Sequence, residues 1–204
     1  MGDPKKQRKK YSKPSHPWRT ERIEEEKELL KEYGLKNKKE IWKIKSLLKK
    51  YFGQVKKIIA ASSKQSDVEK KHLLTKFKKL KLIDESAQIE DVLNITPKDI
   101  LDRRLQTIVF KKSLTRSIKH ARQAIIHKHI VIGDKKITNS SYLVSGDEES
   151  KVDFASKSPF SNNEHPERVS IEEIKKKEPK TKKVKTPEKK DKKENKEKKN
   201  GNEK

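Results

Sequence analysis

The sequence predicts an α+β protein: a mainly helical first half, a small antiparallel sheet after it, and a lysine-rich C-terminal tail without a fold of its own. Three observations predict this. Up to about residue 110, apolar residues recur every three or four positions. After residue 128 the pattern changes to short β-branched runs separated by tight-turn signals. From Ser170 on there are 15 Lys, 8 acidic residues and no aromatic, too little apolar material to repay the entropy of ordering.

The arm, residues 1–19, mixes basic residues with three prolines, Tyr11 and Trp18, and reads as a segment that orders on a partner. Thr20 is placed to cap a helix running to Tyr33, with Gly34 as the left-handed residue after its end. Asn37 and Glu40 have capping-box spacing. Behind them Ile41, Ile44, Leu48, Tyr51 or Phe52, Val55 and Ile58 or Ile59 form the stripe of a long amphipathic helix, and Trp42 beside Ile41 reads as core. "SDVE", from Ser66, opens a helix carrying Leu73, Leu74, Phe77 and Leu80. Thr96-Pro97 with Asp99 starts another, carrying Leu101, Leu105, Ile108 and Val109. A helix beginning near Ser113 follows. "HIVIGDKKIT", "SYLVS" (Ser141–Ser145) and Val152–Ala155 read as short strands.

Of the 204 residues 29% are hydrophobic and 42% charged, with a formal net charge of +24. Small lobes are expected rather than one large core. A charge of that size is relieved on a polyanion, and nucleic acid leads that class. The rival polyanion, an anionic membrane, finds no run near 18 apolar residues, no signal-peptide pattern and no Ser or Thr at position 6 for myristoylation. The absence of cysteine excludes disulfides and thiolate zinc sites and fits a reducing compartment.

The helix near Ser113 carries the sharpest signal. Leu114, Ile118, Ala121 and Ile125 fall on one side at 100° per residue. Arg116, Lys119, His120, Gln123 and His127 fall opposite, with Arg122 flanking them. The plain alternative is a solvated polar face. Arginine usage argues against it: of 55 basic residues only 8 are Arg, and Arg103, Arg104, Arg116 and Arg122 lie within twenty positions. A guanidinium fork suits phosphate oxygens and base edges, where an ammonium is mainly a point charge. His127 and His129 have His-x-His spacing, but no cysteine or carboxylate completes a metal site, so polar contacts at the helix end are expected instead. Trp18 is suited to stacking on a base or on a neighbouring protein. No Walker loop, dinucleotide fingerprint or nucleophile elbow appears, so neither a catalytic site nor a cofactor is expected.

Residues Asp102 to Val144, with "RRLQT", "TRSIKHARQAIIHKHI", a strand, a Gly-containing turn and "SYLV", resemble the S-four RNA-binding domain: two helices packed on a small bent antiparallel sheet. With the N-terminal "MGDPKKQRKKYSKPSHPW" and the later "SPF" and "HPER", residues 1 to about 171 are similar to the archaeal and eukaryotic branch of the small-subunit ribosomal protein family for which that domain is named. The chain is expected to divide into a basic arm (1–19), a helical domain (20–96), an RNA-binding domain with a C-terminal extension (97–168) and a tail (169–204), and beyond about residue 171 that tail is outside the resemblance. The resemblance implies direct binding of small-subunit ribosomal RNA, nucleation of subunit-body assembly, a part in decoding accuracy beside ribosomal proteins five and twelve, and a cytoplasmic location. To the residues already named it adds Gln106, Lys111, Lys112, Thr115 and Lys128 as RNA contacts. Where the family has His-Gly-His this chain has His127-Lys128-His129, so Lys128 has to adopt the glycine's backbone geometry. Where the family has Asn-Gly it has Gly133-Asp134, which suits a type II′ turn. An S-four-domain subunit of a small nucleolar ribonucleoprotein, or the accessory domain of a pseudouridine synthase, are the alternatives. "HPW" and "HPER" favour the ribosomal family over the first, and the missing Gly-Arg-Leu-Asp motif disfavours the second.

Overall fold

The computed structural model describes residues 9–61, 63–162 and His165. The expected tail, the start of the arm and the residues after His165 in "HPER" lie outside them. Helix α1 (Thr20–Glu32) starts with Thr20 inside the helix and Arg19 at the cap position. The predicted threonine cap does not form: no side chain caps this end, and Arg19 pairs with Glu21 at 2.8 Å on the surface. At its other end Gly34 has φ +55°, and Leu35 N–H reaches back to Leu30 O at 3.1 Å. This is the left-handed closure predicted there.

Helix α2 (Lys38–Ala60) buries Ile41, Leu48, Tyr51, Val55 and Ile58, which settles the two open choices in the stripe: Phe52 is only partly buried and Ile59 is 48% exposed. Asn37 takes the cap position, but its side chain makes no cap bond and Glu40 turns elsewhere, so the capping box does not form. Trp42 is half-buried and donates through Nε1 to Glu26, a carboxylate 1% exposed that Lys38 approaches to 3.4 Å. Helix α3 (Lys64–Lys79) starts earlier than "SDVE", because Ser63 and Ser66 bond each other's backbone N–H at 3.2 and 3.1 Å. Phe77 of α3 meets Tyr51 edge-on at 5.1 Å inside the core that α2 and α3 share.

The single helix expected after Thr96 is two helices. In α4 (Pro97–Asp102) Asp99 accepts from Thr96 N–H and Oγ1, as predicted; α5 (Leu105–Lys111) then begins after a break at Arg103-Arg104. The break has a partner. Leu105 N–H donates to Tyr142 O at 2.8 Å and Val144 N–H to Arg103 O at 3.0 Å. "SYLVS" therefore pairs with the helix joint through an Arg104–Leu143 bridge, and is not a strand of the sheet. The next helix, α6 (Ile118–Ile126), starts five residues later than predicted, capped by Ser117 Oγ, which accepts from His120 N–H at 3.2 Å. Ser113, at φ +57°, instead closes α5: Leu114 N–H bonds Val109 O at 3.2 Å.

Strands β1 (Ile130–Ile132), β2 (Lys135–Lys136) and β3 (Val152–Phe154) form an antiparallel sheet in the order β2-β1-β3. Ile132 pairs with both Lys135 and Val152. Positive φ falls on Gly133 (+58°) and not on Asp134, as a type II′ turn requires. Between β2 and β3 in sequence lies a one-turn helix, α7 (Gly146–Glu149). Leu105, Ile108 and Val109 of α5 with Ala121, Ala124 and Ile125 of α6 pack on Ile130, Ile132 and Val152 of the sheet. Among the described residues no helix is long and apolar enough to cross a membrane.

Candidate nucleic-acid interface

Packing of Ala121, Ala124 and Ile125 against α5 and β1 fixes the rotation of α6. Lys119 and Gln123 are exposed as a result, and so is His127 at the helix end. Arg116, exposed in the turn before α6, is off the helix on which the sequence placed it. After α6, Lys128 adopts φ +65° while its N–H reaches Ile125 O and His129 N–H reaches Ala124 O at 3.0 Å. A lysine thus occupies the left-handed position expected to suit glycine. The bend turns the chain from α6 directly into β1.

His129 is half-buried. Its Nδ1 shares a 2.9 Å hydrogen bond with Ser158 Oγ, and its ring meets Phe160 edge-on at 4.8 Å. Phe160 also meets His120 at 5.8 Å and His165 at 4.8 Å, while His127 lies nearly parallel to His129 at 6.3 Å. Three of the chain's 6 histidines therefore meet one phenylalanine beside the polar side of α6, and a fourth, His127, stacks on His129. Burial, then the neighbouring His127 and His120, push the His129 pKa below the ordinary imidazole value. Among the described residues no group of three His, Cys, Asp or Glu is placed to hold a metal ion.

Other predicted contacts are used inside the protein. Arg104 is 2% exposed and donates from Nη2 to Glu40 Oε2 at 2.8 Å; Arg122 donates to Glu40 Oε1 at 2.9 Å. Burial pulls the Glu40 carboxyl upward, but hydrogen bonds from Arg122 and Arg104 and their charges outweigh it and hold the pKa below the ordinary carboxylate value. Arg103 pairs with Glu149 at 3.1 Å and donates to Val144 O. Gln106, 1% exposed, donates to Ile118 O at 3.0 Å and to Gly34 O at 3.2 Å, which ties α1's end to α6's start. Thr115 is buried. Lys112 donates to Val152 O at 3.0 Å, and Lys111, largely exposed, approaches Asp102 to 3.3 Å.

The fourteen expected residues thus divide. Arg116, Lys119, Gln123, His127 and Lys128 are exposed; His120 and His129 are half-buried beside them, and Lys111 is exposed on α5. Arg103, Arg104, Gln106, Lys112 and Arg122 mainly hold elements together, and Thr115 is buried in the turn before α6. Sequence reasoning missed Glu40 as the anchor of Arg104 and Arg122, because its spacing from Asn37 already had a local explanation. It also missed the Ser158–Phe160 contact with the histidines, although "SPF" was conspicuous as a motif.

Two helices, α5 and α6, on a small antiparallel sheet, with a polar arc on the second helix, define an S4-domain protein: the S4 domain family matches residues 103–150. Beyond the domain, the chain is 46% identical over 160 residues to a protein of Ignicoccus hospitalis, covering 78% of this chain and 96% of that one. It is 45% identical over 173 residues to one of Hyperthermus butylicus, covering 85% and 98%. To one of Nanoarchaeum equitans it is 44% identical over 165 residues, covering 80% and 92%. Each is named small ribosomal subunit protein uS4, and this chain belongs to that family.

Proposed function

We propose that the chain is a structural constituent of the small ribosomal subunit in the cytoplasm, bound directly to its RNA. The exposed side of α6 and the bend after it make the contact, through Arg116, Lys119, Gln123, His127 and Lys128, with His120 and His129 beside them. Arg103, Arg104, Gln106, Lys112, Thr115 and Arg122 act at one remove, by fixing where that surface stands. The single observation that carries this reading is the family membership over most of the chain, joined to a rigidly packed α6 whose outward arc is polar and cationic. Phosphate contacts from Arg116, Lys119 and Lys128 supply affinity, while Gln123 and the histidines offer hydrogen bonds to bases or riboses.

In this reading the protein binds early, nucleates assembly of the subunit body, and contributes to decoding accuracy beside ribosomal proteins five and twelve. It works without catalysis, cofactor or small-molecule substrate. The domain boundaries follow the same reading: a helical domain over 20–96 and an RNA-binding domain over 97–168. Ultraviolet cross-linking of intact small subunits, with peptide mapping, tests it. Cross-links from small-subunit RNA to residues 116–129 are expected. Cross-links confined to the first 96 residues would overturn the placement of the site, and none to this RNA would overturn the function.

A further inference from the structure

A groove of about 700 Å³ opens between α2, Arg122 of α6 and the 139–143 loop. It is separate from the outward arc of α6. Its lining joins two chemistries: Ile44, Leu47 and Leu143 are apolar and half-buried, while Lys43 and Lys50 are exposed cations on α2. Lys10, Arg104 and Arg122 also line it, so five cations face the one carboxylate there, Glu40. That carboxylate is already saturated by the two arginines. Among the described residues, Arg104 Nε is buried with no hydrogen-bond partner. The far wall is held firmly: Asn139 Oδ1 accepts from Ser141 N–H at 3.0 Å and from Ser141 Oγ at 2.8 Å.

Resting on the RNA-binding reading above, we propose that this groove binds one unpaired nucleotide of an RNA strand. Its base would lie against Ile44, Leu47 and Leu143, and its flanking phosphates against Lys43 and Lys50. A purely electrostatic surface has no use for the apolar strip, and a purely apolar docking groove would not be walled by lysines. A base with a phosphodiester on each side has both characters. Lys43 and Lys50 stand two turns apart, about 10 Å along the helix axis, so the cationic wall follows a strand rather than a single phosphate. The volume lies in the range of small-ligand pockets, and a paired duplex cannot enter it.

The test uses the full chain and two RNA hairpins of equal length, one fully paired and one carrying a single bulged 2-aminopurine. The bulged hairpin should bind roughly tenfold tighter, in keeping with burial of one base face against an aliphatic strip, and its fluorescence should change on binding. Lys43→Ala with Lys50→Ala should remove most of that preference. Ser141→Leu, which narrows the groove without offering a ring to stack on and keeps every charge, should remove it while binding of the paired hairpin persists. Millimolar AMP should not displace the bulged RNA; displacement would make this a site for free nucleotides and overturn the RNA assignment. Equal affinities with unchanged fluorescence would overturn the groove inference and leave the RNA-binding reading standing. If the chain bound neither hairpin, the RNA-binding reading would itself fall.

Discussion

Arg122 and Lys119 stand one turn apart on α6, yet they face different surroundings. Arg122 shares Glu40 with the buried Arg104, across the contact between α2 and α6. Lys119 faces solvent on the polar arc. The difference teaches that arginine enrichment marks geometry before it marks a partner. A planar fork meets a carboxylate as well as it meets a phosphate. At a position 2% exposed, such as Arg104, an uncompensated guanidinium is costly, so an internal anion is required. Lysine, with its flexible stem and hydrated head, is left to the surface.

The largest effect that would break this comparison is on stability. Glu40→Ala should cost about 2–4 kcal/mol in urea unfolding, somewhat below the full range for a broken buried pair because Arg122 retains some water. A loss under about 0.5 kcal/mol would mean that the arginines are not anchored by Glu40. Acid sharpens the point. The Glu40 pKa is depressed in the fold, so its contribution is complete above the ordinary value of 4.5 and is lost as pH falls through the folded value. A melting-temperature series from pH 7 to 3 should therefore fall less steeply below that point in Glu40→Gln than in the unaltered chain.

On the exposed side the expectation reverses. Arg116→Ala with Lys119→Ala should flatten the salt dependence of RNA binding by about 1.5 in log–log slope, at roughly 0.7–0.9 per phosphate contact. Thermal unfolding should move little, because both side chains are exposed and outside the apolar core. Filter binding across a salt series checks the first half and calorimetry the second. An unchanged slope would remove this surface from the interface. The smallest effect belongs to the bend: Lys128→Gly should stabilise the fold by about 1 kcal/mol, since a non-glycine residue at left-handed φ is strained. The same change should slightly weaken RNA binding if the ammonium touches phosphate.

Much of the fold was legible in the sequence. The α2 stripe, the Thr96–Asp99 start, the Gly133-Asp134 turn and β3 all rest on local periodicity or turn chemistry. What escaped was non-local. Helices α1, α3, α5 and α6 end in one left-handed closure, at Gly34, Lys81, Ser113 and Lys128, and only the first shows the glycine that advertises it. The late start of α6 follows from the closure at Ser113, which periodicity alone cannot see. The division of "RRLQT" into a helix break escaped for a similar reason, since its hydrogen-bond partners lie some forty residues later. In the site, side-chain chemistry was readable and allegiance was not: nothing near Arg104 in sequence announces a carboxylate 64 positions earlier.

That separation also sets a clock. Arg104 follows Glu40 by 64 residues and Arg122 follows it by 82. At roughly 5–20 residues per second of synthesis, Glu40 leaves the peptidyl-transferase centre about 3–13 s before Arg104 is made, and about 4–16 s before Arg122. By the time Arg104 is made the residues of α1, α2 and α3 have all been synthesised, and their carboxylate still waits for its guanidinium. Birth order thus makes the joint between the two halves of this protein a late event, closed by residues the early helices have to wait for.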